Sequence, residues 1–384
     1  MSYIGADFVS DALASLGVEH VFAIVSIHNM PLLDAINRLG KTKIIDVRHE
    51  QAGTHAADGY ARATGKMGVM IASTGPGTSN TVTGLYESQF GSSRVLVITG
   101  QADTTFYGKG LSYVHEAEKQ IQMLSSVCRR VESPRHISQL ADSFQAVVSD
   151  MFTGRPQPGA IEIPIDLQYA NTKKVAIELP SDNIFEADPS VISRVADKIK
   201  EASKRIFVVG GGVISSEATQ ELCELAEQLD APVLTTVDGR GVLPEDHRLC
   251  MGNYYNSAGI YNAIQDADLT IAIGTKFAVG VDGQFHEQTP PGELIQIDID
   301  GNMIGRTHKA AIGVLSDAKS ALNQLKPLLS DLSQNDSQFN ESLFQAREGV
   351  QTAMRARLGK DWPQVMDIIR SKLPRDGLFV RDQT

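Results

Sequence analysis

The chain has 384 residues, of which 42% are hydrophobic and 21% are charged, values typical of a globular protein with two or more domains. Its net charge of −11 argues against binding to nucleic acid or to an anionic membrane as the main activity. Scattered cysteines predict a cytoplasmic setting, and we expect no signal peptide and no membrane helix, which would need ~20 apolar residues.

The first part of the chain alternates between helical and strand-like patterns. Apolar periodicity predicts helices over 6–16, 31–39 and 51–64, with Asn29 as a candidate cap for the second. Apolar runs predict strands over 20–25, 44–47, 69–72, 95–99 and 160–166; Pro164 indicates a sheet edge or a strand end. This alternation predicts a parallel sheet with helices on both faces.

A second run of the same kind follows. We predict strands over 205–209, 232–236, 269–273 and 294–299, and a helix that begins at Ser215 or Ser216 and ends at Leu229. A further helix over 363–373 and a strand over 377–380 are predicted near the end. The fold class is therefore α/β, with two doubly wound parallel-sheet domains. The predicted boundaries are a domain over 1–170, a linker over 171–187, a central domain over 188–329, a connector over 330–358, and the start of another domain over 359–384.

Two strand ends in the first domain carry groups suited to chemistry. Glu50 follows the strand over 44–47, and a Gly/Pro turn that contains Gly75 and Pro76 follows the strand over 69–72. The carboxyl ends of parallel strands meet at one edge of the sheet. A carboxylate shielded there can have a raised proton affinity, which a proton shuttle to a bound heterocycle requires.

The order and spacing of several motifs resemble the pyrimidine-binding domain of thiamine diphosphate (ThDP) enzymes. The matching segments are Val21-Phe22 with the turn up to Asn29, Arg48–Ala52, Asp58–Gly65, Thr74–Gly77 and Ile98–Gln101. The resemblance is nearest to the acetolactate synthase-like branch and extends through almost the whole chain. It implies that the central domain is Rossmann-like.

The resemblance implies a role for Glu50 and for four cofactor contacts. Glu50 would hydrogen-bond N1′ of the aminopyrimidine, favouring the imino tautomer that takes the proton from thiazolium C2. Val25, Gly75, Pro76 and Asn80 would contact the cofactor. In the alternative interpretation, Glu50 lies at a helix start, where the helix dipole stabilises it. The segment with Gly75 and Pro76 would then be an ordinary turn capped by Thr78 or Ser79.

The loop over 23–29 departs from many relatives, which have Pro-Gly-Gly where this chain has Val25-Ser26-Ile27. The resemblance places this loop opposite the reactive carbon, so Ser26, His28 and Asn29 are candidate substrate residues. A Ser in this loop serves the substrate in benzoylformate decarboxylase-like relatives. In the alternative interpretation, Ser and Asn only cap a helix and the His is exposed.

A second polar segment includes His115 and Gln120. Relatives place a Gln or His near the active centre here, so His115 is a candidate catalytic residue that would relay a proton to the substrate oxygen. Gln120 is a further candidate for substrate contact. The alternative is a solvated helix start.

ThDP and Mg²⁺ are the cofactors that the resemblance implies. Relatives hold the diphosphate through Mg²⁺ in a third domain marked by Gly-Asp-Gly, a sequence that does not occur here. We therefore predict no metal ligands in this chain and expect them in a missing C-terminal domain. FAD binding is doubtful, because the Arg-Phe-Asp-Asp-Arg stretch of FAD-binding relatives is replaced by 276–280, which lacks the acidic pair.

The sequence thus predicts a transferase or lyase that decarboxylates or carboligates a 2-oxo acid and works as a homodimer or homotetramer. The chain alone is expected to be inactive, because the resemblance implies a site shared between subunits. The alternatives are a simple 2-oxo acid decarboxylase, a degenerate non-catalytic homologue with a binding or regulatory role, and a central domain that uses NAD like a deacetylase.

Overall fold

In a computed structural model, the chain forms two compact units, Met1–Asn183 and Ile184–Thr384. The structure describes residues 2–180, 185–278, 288–330 and 332–380. Within those residues each unit contains one six-stranded parallel sheet with flanking helices. This confirms the predicted fold class of two α/β parallel-sheet domains.

The first sheet has the strand order β2-β1-β3-β4-β6-β5. Its strands are β1 His20–Ala23, β2 Lys43–Asp46, β3 Gly68–Ala72, β4 Val95–Gln101, β5 Arg130–Glu132 and β6 Gly159–Pro164. The helices are α1 Gly5–Ser15, α2 Met30–Leu39, α3 Glu50–Thr64, α4 Pro76–Gly91, α5 Gln120–Ser125, α6 Leu140–Phe152 and α7 Ile165–Tyr169, with a 3-10 turn at Ile137–Gln139. Pro164 is the last residue of β6, which confirms the strand end as the predicted position of this proline.

The central strands of this sheet are covered on both faces. Every residue of β3, β4 and β6 is buried, which matches their near-continuous apolar runs. Along α3 the buried positions carry small side chains such as Gly53, Ala57 and Ala61, so the helix packs closely on the sheet and on α4. This packing fixes the point at which α3 begins, beside the carboxyl ends of the strands.

The second sheet has the strand order β12-β11-β10-β7-β8-β9. Its strands are β7 Arg205–Val209, β8 Val233–Thr235, β9 Cys250–Gly252, β10 Leu269–Ile273, β11 Glu293–Asp298 and β12 Ile312–Leu315. The helices are α8 Pro189–Glu201, α9 Gly211–Ser215, α10 Thr219–Leu229, α11 Ala258–Ile264, α12 Ala318–Leu325, α13 Ser337–Arg357 and α14 Asp361–Lys372, with a 3-10 turn at Lys326–Leu329.

Two predictions about this unit are wrong. The helix that ends at Leu229 begins at Thr219, not at Ser215 or Ser216, because Glu217 adopts a left-handed conformation (φ 53°) that separates α9 from α10. Residues 377–380 form no strand, since they have no strand partner among the described residues, and the Val380 side chain is 88% exposed.

The predicted domain boundaries remain predictions. Along the chain, the boundary between the two units falls between Asn183 and Ile184, inside the predicted linker 171–187. Residues 181–184 of this linker lie outside the described residues. Phe185 O accepts hydrogen bonds from Asp317 N and Ser316 Oγ, so the chain just beyond already packs within the second unit. In the part of the chain that the structure describes, no helix is long and apolar enough to cross a membrane.

Candidate functional site

The candidate site lies at the carboxyl edge of the first sheet. Four segments meet there: the loop after β1, the start of α3 after β2, the turn between β3 and α4, and the segment that precedes α5. The turn between β3 and α4 contacts each of the other three, as the following distances show. The sequence predicted this convergence of strand ends.

Glu50 and Asn80 form the first pair of the site. Asn80 Nδ2 donates a hydrogen bond to Glu50 Oε2 across 2.9 Å, and both residues are half-buried. Among the described residues, Glu50 Oε1 has no hydrogen-bond partner. One carboxylate oxygen is therefore held in place while the other can bind a ligand group.

The turn between β3 and α4 requires glycine at two positions. Gly75 has φ 57°, and a Cβ there would lie 2.3 Å from the His115 carbonyl oxygen. A Cβ on Gly77 would lie 3.2 Å from Glu50 Oε1 and 2.9 Å from the Ser73 Cβ. The missing side chain at Gly77 thus lets the start of α4 lie close to Glu50, an approach that a Cβ would hinder.

The alternative interpretation, in which Thr78 or Ser79 caps this turn, is wrong. The N-cap of α4 is Gly75, and Pro76 is the first helical residue and is exposed. Thr78 Oγ1 donates to the Ser73 carbonyl at 2.6 Å, and Ser79 Oγ donates to the Pro76 carbonyl at 2.9 Å, so neither hydroxyl accepts from a helix N–H.

The loop after β1 is closed by Asn29. Its Oδ1 accepts from Ser26 N at 2.9 Å, and its Nδ2 donates to the Ile24 carbonyl at 3.0 Å. Asn29 is the N-cap residue of α2, as predicted, but its buried side chain makes no capping hydrogen bond, because both polar atoms serve the loop. Val25 lies on the outer side of the loop and is 62% exposed, while Ser26 is half-buried and accepts from His28 N at 3.1 Å.

His28 is only 1% exposed, so the alternative interpretation of an exposed His is wrong. Its Nδ1 lies 3.4 Å from Ser73 Oγ, and its ring is 6.1 Å from the His115 ring and 6.0 Å from the Tyr113 ring. Burial lowers the pKa of His28, and the neighbouring His115 lowers it further. The imidazole is therefore neutral at neutral pH and able to act as an acceptor or donor.

His115 is exposed and has a left-handed backbone (φ 60°). It precedes α5, which begins at Gln120, so the alternative of a solvated helix start is wrong for this residue. Its carbonyl group lies against Gly75, and its ring lies near that of His28. The structure thus brings His115 to the predicted turn.

Gln120 is 1% exposed and hydrogen-bonded at both ends of its amide. Its Oε1 accepts from Gly75 N at 2.8 Å, and its Nε2 donates to Glu162 Oε2 at 2.7 Å. The predicted substrate contact remains a prediction; the geometry favours support of the turn. Glu162 and Gln101 belong to the same network and were not predicted, although a Glu inside an apolar strand run is a signal of a buried polar site.

The described residues contain one cluster of potential metal ligands, in the second unit. It consists of Cys223, Glu227 and His247. His247 Nδ1 accepts from Leu249 N at 3.2 Å, so Nε2 carries the proton and donates to Glu227 at 3.1 Å. A hydrogen bond accounts for this contact without a metal. Of the segment 276–280 that bears on FAD, residues 279 and 280 lie outside the described part, and FAD binding stays untested.

Comparison with known families agrees with this site. Residues 4–125 match the N-terminal TPP-binding domain of thiamine pyrophosphate enzymes, and residues 192–325 match the central domain of the same enzymes. Thiamine pyrophosphate is another name for ThDP. The chain belongs to the thiamine pyrophosphate enzyme family, and the matched N-terminal domain contains Glu50, Asn80 and the turn between them.

Within that family, the chain is similar to acetolactate synthases. It is 32% identical to the "Probable acetolactate synthase large subunit" of Methanocaldococcus jannaschii, over 96% of this chain and 65% of the relative. It is 35% identical to the acetolactate synthase of Mycobacterium avium, over 85% of this chain and 53% of the relative. It is 33% identical to the acetolactate synthase large subunit of Corynebacterium glutamicum, over 84% of this chain and 52% of the relative. The chain thus spans between about half and 65% of the length of these relatives.

Proposed function

We propose that this protein is a ThDP-dependent enzyme that acts on a 2-oxo acid by decarboxylation and carboligation, as the names of its acetolactate synthase relatives suggest. The observation that carries the proposal is the Glu50–Asn80 hydrogen bond, next to the close approach of Gly77 to Glu50 Oε1. That arrangement orients the Glu50 carboxylate and leaves Oε1 without a hydrogen-bond partner among the described residues, so that it could bind a ring nitrogen of a flat heterocycle.

The residues of the turn would hold the aminopyrimidine. When bound, ThDP supplies a nucleophilic carbon and an electron sink. Glu50 Oε1 would hydrogen-bond the ring nitrogen N1′ and exchange a proton with it, while Asn80 keeps the carboxylate oriented. Val25, Gly75 and Pro76 would contact the cofactor through the loop and the turn.

Polar groups of the neighbouring loops would contact the 2-oxo acid. Ser26 is half-buried and His115 is exposed, so both are accessible to a substrate. We propose that the His115 ring exchanges a proton with the substrate oxygen, since an imidazole can both donate and accept a hydrogen bond. The buried His28 and Asn29 would shape the loop behind Ser26, and Gln120 would hold the turn.

The remaining parts of the proposal concern the metal and the assembly. The Mg²⁺ that accompanies the diphosphate would be held by residues outside the pyrimidine site, because Asp and Asn oxygens with diphosphate form its usual octahedral set. We propose a homodimer or homotetramer in which two subunits build each site. We further propose that the protein functions in the cytoplasm.

A second candidate is simple decarboxylation of a 2-oxo acid, in the manner of benzoylformate decarboxylase. The observation that favours it is the loop after β1, where Ser26 is partly accessible and carries a hydroxyl where many relatives have glycine. The product distinguishes the two: carboligation gives an acetohydroxy acid, whereas simple decarboxylation gives an aldehyde.

The test combines binding with product analysis. The full-length protein, purified from its natural source, is titrated with ThDP in the presence of Mg²⁺ by calorimetry and then incubated with pyruvate and larger 2-oxo acids. Saturable binding with acetohydroxy acid formation supports carboligation, and binding with aldehyde formation supports the decarboxylase. Binding without turnover of any 2-oxo acid supports a non-catalytic homologue, and absence of ThDP binding contradicts the proposal.

A further inference from the structure

A buried carboxyl group stands behind the turn that follows β3. Glu162 lies on β6 and is fully buried. Its Oε2 accepts hydrogen bonds from two side-chain amides, Gln101 Nε2 at 2.9 Å and Gln120 Nε2 at 2.7 Å. A single carboxylate oxygen thus faces the NH₂ groups of both amides and fixes which way each amide points.

The other ends of these two amides point at the turn. Gln120 Oε1 accepts from Gly75 N at 2.8 Å and from Thr74 Oγ1 at 3.1 Å, and Gln101 Oε1 lies 3.2 Å from the same hydroxyl. If either amide rotated by half a turn, an NH₂ group would face a donor instead of an acceptor. Thr99 Oγ1 and the Gly100 carbonyl also accept from Gln120 Nε2, at 2.9 Å and 3.2 Å. The carboxylate is the acceptor that both amides share, and with these two groups it sets the acceptor pattern presented to Thr74 and Gly75.

The turn so held is the one that shapes the pyrimidine site. Gly75 has φ 57° and caps α4, the helix that carries Asn80 to Glu50. The Gly75 N–H points to Gln120 and not into the helix. A shift of this turn would change the distance from Gly77 to Glu50 Oε1. It would also disturb the contact of Gly75 with the His115 carbonyl.

The outer oxygen of Glu162 is also bound. Ser133 Oγ donates to Oε1 at 2.8 Å, and the guanidinium of Arg135 lies 4.0 Å from the same oxygen and 3.7 Å above the Tyr107 ring. Burial raises the pKa of Tyr107 to about 12, and Glu162 adds to the rise, so the phenol stays protonated. Burying a carboxyl group is costly unless its oxygens are bonded, and here both are.

We propose that Glu162 is a positioning residue for the pyrimidine site, which acts through Gln120 and Gln101 on the turn at Thr74 and Gly75. This inference rests on the proposed function. It is distinct from a purely structural role, because the carboxylate would determine how tightly the turn holds the cofactor as well as how stable the fold is.

The test compares three variants of the full-length protein with Mg²⁺ present, by calorimetric titration with ThDP and by thermal melting. Glu162→Leu leaves the buried Gln101 Nε2 without an acceptor, whereas Gln120 Nε2 keeps Thr99 Oγ1 and the Gly100 carbonyl. It should weaken ThDP binding by about tenfold, as expected for one unsatisfied buried amide behind the turn. Glu162→Gln keeps an oxygen for both amides and offers its NH₂ to Ser133 Oγ, so it should restore affinity to within about threefold of wild type.

Thr42→Val is the matched control. Thr42 is buried before β2, at the opposite edge of the sheet, and donates to the Val18 carbonyl at 2.7 Å. Its replacement should lower the melting temperature and leave the ThDP dissociation constant unchanged. Should Glu162→Leu not fold, Gln120→Met makes the same test, because it removes the acceptor of the Gly75 N–H.

The outcomes separate this inference from the function on which it rests. Weaker ThDP binding in Glu162→Leu or Gln120→Met, with recovery in Glu162→Gln and none of the loss in Thr42→Val, supports the positioning role. Unchanged ThDP affinity in the folded Leu or Met variant overturns the inference and leaves the proposed function intact. Absence of ThDP binding by the wild type overturns the proposed function itself.

Discussion

The amide of Asn80 donates a hydrogen bond to Glu50 Oε2 across 2.9 Å and thereby joins α4 to the first residue of α3. The two helices pack on each other through small side chains, so this contact is supported along their length. Because the hydrogen bond holds one carboxylate oxygen in place, it also defines the direction in which the other oxygen points. In the proposed function, that direction determines whether Glu50 can meet the ring nitrogen of the cofactor.

Removing the amide at Asn80 should therefore affect turnover more than stability. In Asn80→Ala the Glu50 carboxylate loses its partner and can rotate, which should lower kcat/KM for a 2-oxo acid by about tenfold, the effect of one hydrogen bond to a charged group. The control is Ser79→Ala, next in the chain, whose exposed hydroxyl donates only to the Pro76 carbonyl. Equal activity in the two variants would contradict this role of Asn80.

Alanine at Gly75 should be poorly tolerated. The positive φ and the 2.3 Å approach to the His115 carbonyl act together, whereas Gly65 has φ 70° with no atom near its missing Cβ. Gly65→Ala should cost about 1 kcal/mol from backbone strain alone. Gly75→Ala should lower the free energy of unfolding by at least about 2 kcal/mol more, measured by urea denaturation. Similar losses in the two variants would show that the turn can relax away from His115.

The burial of His28 predicts a pH dependence of stability. The pKa of His28 is lower in the folded state than in the unfolded state. Below about pH 6.5 the unfolded state therefore binds the proton more readily, and the folded state loses stability as the pH falls. Above that pH this contribution is fully present. His28→Gln should flatten the fall in melting temperature between about pH 7 and about pH 5.

The matched control for His28 is His55→Gln, at an exposed position of α3. That variant should keep the wild-type dependence of melting temperature on pH. The same dependence in the wild type and in His28→Gln would mean that the buried imidazole is not the group responsible. The His115→Gln variant reports the share that comes from the neighbouring ring.

The sequence predicted the parts of the fold whose local patterns agree with their environment. The buried runs of β3 and β4 and the small-residue helix α3 were predicted with ends within a few residues. β5, β9 and β12 were not predicted, because runs of three or four residues are too short to show a period and gain their strand character from the neighbouring strand. The break between α9 and α10 depends on the conformation of Glu217, which propensity does not indicate.

The candidate site divides in the same way. Glu50, the turn at Gly75 and Asn80 follow strand ends, and sheet geometry alone brings such residues together. The contact of Gln120 with Glu162 joins residues 42 positions apart, and only the folded sheet determines that β6 lies next to β4. The buried state of Asn29 likewise follows from closure of its loop, which no periodicity reveals.

The central claim is that Glu50 activates a bound ThDP, and the most direct test is the ThDP-dependent turnover of a 2-oxo acid by Glu50→Gln. Gln keeps the shape of the side chain and the contact with Asn80 but cannot exchange the proton. The account predicts a fall in kcat of at least about 100-fold, with ThDP still bound and the melting temperature nearly unchanged. Turnover within a few-fold of wild type would contradict it.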